Sequence, residues 1–177
     1  FALLAPTSAA TIDRIVTVDT SSIAGTAGHV SLQFNPGFDA DAAVASIFNF
    51  NAPLALLSPA SSTGDVAGEL PGIVTIGNTG AINELFQPIT FGSTFKFLLS
   101  FSGPAVDTPS GALTGSTFSL SFLNAAQSAF LLTDDPTGAA LVADLFSDGT
   151  ASFFAAAAGP GLPSAVDLSE VPEDRKS

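Results

Sequence analysis

The period-two alternation of apolar and small polar residues is the feature that most constrains how this chain folds. In STFSLSF (116–122) the two phenylalanines and the leucine fall on one face of an extended chain, and the serines between them fall on the other. Successive side chains of a β-strand point to opposite faces, so this pattern is typical of a strand with one buried face. Shorter alternating runs occur at 15–18, 29–34 and 94–98.

Clusters of turn-forming residues separate these runs, and they supply a fixed φ or tolerate a positive one. They are Asn-Pro-Gly at 35–37, Ser-Gly-Pro at 102–104, Asp-Asp-Pro at 134–136 and Ser-Asp-Gly at 147–149. Short strands punctuated in this way predict an all-β fold, namely an antiparallel β-sandwich that is jelly-roll-like.

We expect the strands near residues 12–19, 29–35, 44–51, 65–69, 73–77, 85–91, 94–102, 116–124, 129–133, 139–146 and 150–156. For residues 40–47 and 139–146 a short helix is the alternative.

The composition fits one domain with an unusual surface. The 177 residues are 46% hydrophobic, which is enough for a sizeable core. Only 11% are charged, against about 25% in ordinary soluble domains, so Ser, Thr, Asn, Gly and Ala must form most of the surface. Secreted bacterial β-proteins often have such surfaces. We therefore predict an exported protein, located outside the cell or at the cell surface.

The charge balance excludes several classes of partner and site. Sixteen acidic residues outnumber four basic ones, so phosphate backbones would be repelled and we expect no nucleic-acid partner. No apolar run is long enough for a transmembrane helix. Cysteine is absent, which excludes disulfides, a thiol nucleophile and a thiolate metal site.

We divide the chain into an apolar N-terminal segment at 1–10, a β-sandwich domain at 11–157 and a tail at 158–177. The tail is rich in Gly, Pro and acids, and we interpret it as a linker.

The N-terminal segment, FALLAPTSAA, has three interpretations. It is the remnant of an export signal, it packs on its own domain, or it adds a strand to a neighbouring subunit. In the last case Phe1, Leu3 and Leu4 would fill hydrophobic positions of the receiving subunit.

Several stretches carry a resemblance to a known family. They are VTVDTSSIAGTAGHVSLQFNPG (16–37), GDVAGEL (64–70), FQPITFGSTFKFLLSFSGPA (86–105) and LLTDDPTGAALVADLFSDGT (131–150). Together they resemble bacterial secreted proteins that carry PEP-CTERM sorting tails. In that family a V-x-V-D-T-S strand leads to Q-F-N-P-G, and an F-G-S-T turn leads to F-x-x-x-F-S-G-P-A. The resemblance covers roughly residues 12–175 and includes no catalytic motif.

The C-terminus matches the same family in part. Val171-Pro172-Glu173 fits the start of the sorting tail, but Asp174 stands where the family has a second Pro. Arg175 and Lys176 follow at once, without the hydrophobic helix, so we expect the tail to have been removed or never present. The resemblance implies export by bacteria with an outer membrane, and a role at the cell surface or in the extracellular matrix.

Asp134, Asp135 and Asp148 are candidate Ca²⁺ ligands, because Ca²⁺ takes its oxygens from Asp side chains and loop carbonyls. No EF-hand spacing and no Gly-Asp nonapeptide repeat surrounds them, so the alternative is turn-forming, solvated Asp. We expect no other cofactor.

Catalytic chemistry has little support. His29 is the single histidine, and a hydrolytic triad would need a serine and an acid beside it. No Gly-x-Ser-x-Gly elbow occurs, and we predict that the protein is not an enzyme.

These observations predict a secreted structural protein of the bacterial cell surface or extracellular matrix. Its partner would be itself, in a filament whose subunits are linked by N-terminal strand donation. The alternative is a monomeric extracellular module that binds a glycan, Ca²⁺ or both. A glycan site would have to do without Trp and Tyr, which the chain lacks.

Overall fold

The computed structural model describes residues 9–51, 55–56 and 59–172. Within these ranges the chain forms fourteen strands, one short α-helix and a 3-10 turn at Ser21–Ile23. The strands are β1 (Ile12–Asp19), β2 (Ala27–Pro36), β3 (Val44–Asn51), β4 (Ala55–Leu56), β5 (Ser61–Thr63), β6 (Val66–Gly68), β7 (Val74–Gly77), β8 (Glu84–Thr90), β9 (Thr94–Ser102), β10 (Ser116–Asn124), β11 (Phe130–Leu131), β12 (Ala139–Leu145), β13 (Ala151–Ala155) and β14 (Val166–Glu170). The helix is α1 (Pro104–Asp107), which lies between β9 and β10.

Two antiparallel sheets pack face to face, which confirms the predicted all-β sandwich. The six-stranded sheet has the order β14-β1-β9-β3-β7-β6. The eight-stranded sheet has the order β13-β12-β10-β2-β8-β4, with β11 paired to β10 and β5 paired to β8. The chain crosses from one sheet to the other between β1, β2 and β3 and again between β8, β9 and β10. This alternation between sheets gives the sandwich its jelly-roll-like character.

The core lies between the sheets, and seven of the twelve largest fully buried side chains among the described residues are phenylalanines. Phe118, Leu120 and Phe122 of β10 are fully buried, as their alternation predicts. From the facing sheet, Phe95 meets Phe122 edge to face, with ring centroids 5.5 Å apart. The favourable edge-to-face geometry adds to the burial of apolar area.

The interpretation of residues 158–177 as a linker is wrong for part of that segment. Residues 166–170 form β14, which pairs with β1 at the edge of the six-stranded sheet. Val166 is 7% exposed and belongs to the core. The alternation of Val166 and Leu168 is short and lies in a stretch rich in Gly, Pro and acids. The strand forms because β1, which pairs with β9 on one side, offers its other edge to β14.

The helical alternatives for 40–47 and 139–146 are also wrong, because the chain there forms β3 and β12. Residues 1–8, which include Phe1, Leu3 and Leu4, lie outside the described residues.

One end of the sandwich, which we call the loop end, gathers α1 and the turns at 37–43, 78–83 and 146–150. Two buried amide side chains, those of Asn78 and Asn83, hold the loop end together. The Oδ1 of Asn78 accepts a hydrogen bond from the backbone N–H of Ala43 (2.9 Å). Its Nδ2 donates to the Asp41 carbonyl (2.8 Å) and to Ser116 Oγ (2.8 Å).

None of the described helices is long and apolar enough to cross a membrane.

Candidate binding surfaces on the eight-stranded sheet

The outer face of the eight-stranded sheet carries a groove of about 560 Å³. The strand register builds its floor in rows. One row runs from Ser121 of β10 through Ser31 of β2 to Phe86 of β8. The next row runs from Ser119 through Gln33 to Glu84. Each of these side chains occupies the outward position of its strand's alternation, so the groove is a direct product of the period-two pattern.

Hydrogen bonds position the carboxylate of Glu84 in this floor. Ser31 Oγ donates to Glu84 Oε1 (2.5 Å), and Gln33 Nε2 donates to the same oxygen (3.1 Å). Gln33 is oriented in turn by Asn35, whose Nδ2 donates to Gln33 Oε1 (3.0 Å). The side chains of β2 therefore restrict the rotamers of Glu84 before any ligand arrives.

Aromatic rings form part of the walls. Phe86 lines the groove and stacks on His29, with centroids 4.7 Å apart and an interplanar angle of 17°. His29 itself does not line the groove, so the imidazole supports the far side of the Phe86 ring. Its Nδ1 lies 3.4 Å from the carbonyl oxygen of Asn124. Phe130, which is 48% exposed, contributes to the opposite wall.

The second surface is the edge of the same sheet. Among the described residues β13 pairs only with β12. Its sequence, ASFFA, contains no charge, and Phe154 on its outer face is 59% exposed. Phe153 points inward, where the guanidinium of Arg14 lies 5.0 Å from its ring centroid. Natural edge strands are usually guarded by charge, Pro or brevity, and β13 lacks a charge and a proline.

The other sheet edges are guarded. β14 carries Asp167 and Glu170, and β4, β5 and β6 are only two or three residues long. Strand β13 is therefore the edge of the described sandwich best suited to pair with a further strand.

The three candidate Ca²⁺ ligands do not come together. Asp134 and Asp135 precede β12, whereas Asp148 follows it, in the turn to β13. A seven-residue strand separates them by about 20 Å. Within the described ranges, no three His, Asp or Glu side chains cluster in a way that could hold a metal ion.

Two of these carboxylates are used by their own turns. Asp135 Oδ1 accepts hydrogen bonds from the hydroxyl and the backbone N–H of Thr137. Asp148 Oδ1 accepts them from the hydroxyl (2.6 Å) and the backbone N–H (2.9 Å) of Thr150. In both cases the side-chain hydrogen bond first, and then the backbone one, holds the pKa of the carboxyl below its usual range.

We expect Ca²⁺ to leave the melting temperature of the protein unchanged relative to a sample with chelator. A ligand raises the melting temperature only if it binds the folded state more tightly than the unfolded state, and the separated aspartates offer no shared site. Thermal unfolding followed by circular dichroism measures this. A melting temperature that rises and saturates with Ca²⁺ would contradict the prediction.

No protein-family model, curated protein or solved structure matches this chain. The residues of the two surfaces must therefore be judged on their geometry.

Sequence reasoning missed the groove. The alternation of β2 and of β8 places Ser31, Gln33, Glu84 and Phe86 on outward faces, and that signal is in the sequence. What it lacks is the pairing of β2 with β8, strands that lie about fifty residues apart in the chain.

Proposed function

We propose that this chain is a secreted structural protein of the bacterial cell surface or extracellular matrix. It assembles with itself when the N-terminal segment of one subunit adds a strand to β13 of the next. The observation that carries the proposal is the uncharged outer edge of β13, with its half-exposed Phe154.

Addition at an edge suits this sandwich better than filling of a gap in its core. The largest core side chains, among them Phe95, Phe101 and Phe118, are already fully buried. A donated strand must therefore find unpaired main-chain groups, and β13 presents them along its outer side. The donor segment, like β13, contains no charged residue, so pairing desolvates no ion.

Residue 10, the last of the N-terminal segment, lies close to the β13 edge. The backbone N–H of Ala10 donates to Asp107 Oδ1 (2.5 Å), which places residue 10 beside α1. The turn before β13 lies beside the same helix, since a Cβ added at Gly149 would be 3.1 Å from the Ala105 carbonyl oxygen. The donor contact can therefore form within one subunit, which gives monomers, or between subunits, which propagates head to tail.

The composition supports an extracellular place for such a polymer. A chain with only 11% charged residues offers few lysines to block association of edges. The resemblance to secreted proteins with PEP-CTERM tails points to the same place.

Sedimentation velocity and negative-stain electron microscopy of the full chain test the proposal. We expect fibres or long oligomers from the unaltered protein. Phe154→Lys places a charge on the acceptor strand, and the double variant Leu3→Asp/Leu4→Asp places charges in the donor, so both are expected to yield monomers at the same concentration.

Matched controls separate assembly from general changes in charge. Ile73→Lys makes a similar change at a 65% exposed site in the turn between β6 and β7, and Thr7→Asp/Ser8→Asp adds the same charge at polar positions of the donor. Both controls should still assemble. A monomeric unaltered chain would overturn the proposal, as would assembly that survives both test variants. Dimers that are lost only in Phe154→Lys would show pairing of β13 with β13 and would also overturn it.

A further inference from the structure

The groove on the eight-stranded sheet lies over strands whose main-chain groups are already paired. Strand β2 pairs with β8 on one side and with β10 on the other, and β10 pairs in turn with β12. A peptide cannot add to the sheet here as a further strand. Whatever binds in the groove must be recognised by side chains.

The charge and the polar groups of the lining disfavour two classes of ligand. Of the described residues that line the groove, only Glu84 is charged, and none is Lys, Arg or His. An anionic ligand would meet this carboxylate without any compensating cation. A wholly apolar ligand would take the hydroxyls of Ser119 and Ser121 out of water without replacing their hydrogen bonds.

The polar groups of the lining match a neutral ligand that carries many hydroxyls. A serine hydroxyl both donates and accepts a hydrogen bond, and a carboxylate accepts several. Both hydrogen bonds that the described side chains make to Glu84 fall on Oε1, which leaves Oε2 to accept hydrogen bonds from the hydroxyls of a ligand. Hydrogen bonds to an ionised acceptor are stronger than neutral ones.

Phe86 supplies the apolar counterpart. One side of its ring is backed by His29, and the ring lines the groove. The face of an aromatic ring is electron-rich and apolar, which suits the C–H face of a pyranose. Phenylalanine has to take this part because the chain contains no Trp and no Tyr.

We propose that this groove binds a neutral oligosaccharide. One pyranose ring packs on Phe86, and its hydroxyls bond to Glu84 Oε2 and to the serines of β10. The site does not depend on the filament. The lining reaches β12 through Ala139 and Val142 but includes no residue of β13, so a strand added to the outer edge of β13 would not occupy the groove.

Isothermal titration calorimetry with the full chain tests this proposal. The probes are cellohexaose, mannohexaose and maltohexaose, with hexagalacturonate as the anionic counterpart. We expect saturable binding of at least one neutral probe and no binding of the anionic one. Phe86→Ala should weaken that binding by about tenfold or more. Glu84→Gln, which keeps the shape and loses the charge, should weaken it by a smaller factor.

The control variant is Phe146→Ala, which removes a 45% exposed ring that does not line the groove. It should bind as the unaltered chain does, and melting curves should show that all variants are folded. Failure of every neutral probe to bind at about millimolar concentration would overturn the proposal. So would binding that is equal in the unaltered chain and in Phe86→Ala, or preferential binding of hexagalacturonate.

Discussion

Replacing Phe95 by alanine is expected to lower the free energy of unfolding by about 3–5 kcal/mol. The side chain is fully buried, and its ring contacts three others edge to face. The centroid distances are 4.9 Å to Phe50, 5.7 Å to Phe97 and 5.5 Å to Phe122. Phe50 and Phe97 belong to the six-stranded sheet and Phe122 to the facing one. The substitution therefore opens a cavity between the two sheets.

Urea unfolding followed by far-ultraviolet circular dichroism measures the effect, since the chain has neither Trp nor Tyr for fluorescence. Phe154→Ala is the matched control, because the same ring is removed from a site that is 59% exposed. Phe154→Ala should lower the free energy of unfolding by less than about 1 kcal/mol. Equal losses in the two variants would show that Phe95 does not occupy the core as described. Phe95→Leu, which leaves a smaller cavity, should fall between them.

Asn83→Asp is expected to cost about 2–4 kcal/mol at neutral pH. Asn83 is fully buried at the loop end, where it is the last residue of the turn at 78–83 and directly precedes β8. Its Nδ2 donates to the carbonyl oxygens of Phe34 (3.0 Å) and Gly80 (2.8 Å). Its Oδ1 accepts from the backbone N–H groups of Asp65 (2.9 Å) and Gly80 (3.1 Å).

A carboxylate at this position cannot donate a hydrogen bond. The carbonyls of Phe34 and Gly80 would then face a buried negative charge. The substitution replaces one NH₂ group by one oxygen, so packing changes little and the lost hydrogen bonds dominate. The same chemical change at the exposed Asn51 should alter stability by less than about 0.5 kcal/mol.

The pH dependence of the Asn83→Asp variant gives a second check. Burial and the facing carbonyls disfavour the ionised form of the new carboxyl, so its pKa in the folded state should be raised above the unfolded value. A carboxyl with a raised pKa destabilises the fold most above that pKa, and the penalty shrinks as the pH falls. The gap between the variant and the unaltered chain should therefore narrow on acidification. A gap that is constant or widens would contradict the role described for Asn83.

The strand pattern was predictable because it is local. Phe118, Leu120 and Phe122 alternate with threonine and serine, and all three apolar side chains are fully buried, whereas Thr117 is exposed and Ser119 is half-buried. The turns at 102–104 and 147–149 contain glycines with positive φ, Gly103 and Gly149. Glycine tolerates this conformation where other residues are strained. Such signals need only neighbours in the chain.

The missed elements depend on distant partners. Strand β14 has only five residues in a Gly-, Pro- and acid-rich stretch, and it is ordered by pairing with β1, about 150 residues earlier. Glu170, for example, lies opposite Arg14, and the two side chains are 3.7 Å apart. Neither Arg14 nor Glu170 lies in a sequence pattern that predicts this contact.

The features of the candidate sites also fall into two groups, those that depend on local sequence and those that depend on distant partners. The sequence by itself determined the all-β class, the apolar faces that form the core and the uncharged character of both β13 and the N-terminal segment, because these follow from composition and a period of two. The tertiary structure alone decided that Glu84 and Phe86 lie beside Ser31 and Gln33, that Asp135 and Asp148 lie apart, and that β13 is an edge. Those facts depend on the register and order of strands, which arise from packing between segments far apart in the chain.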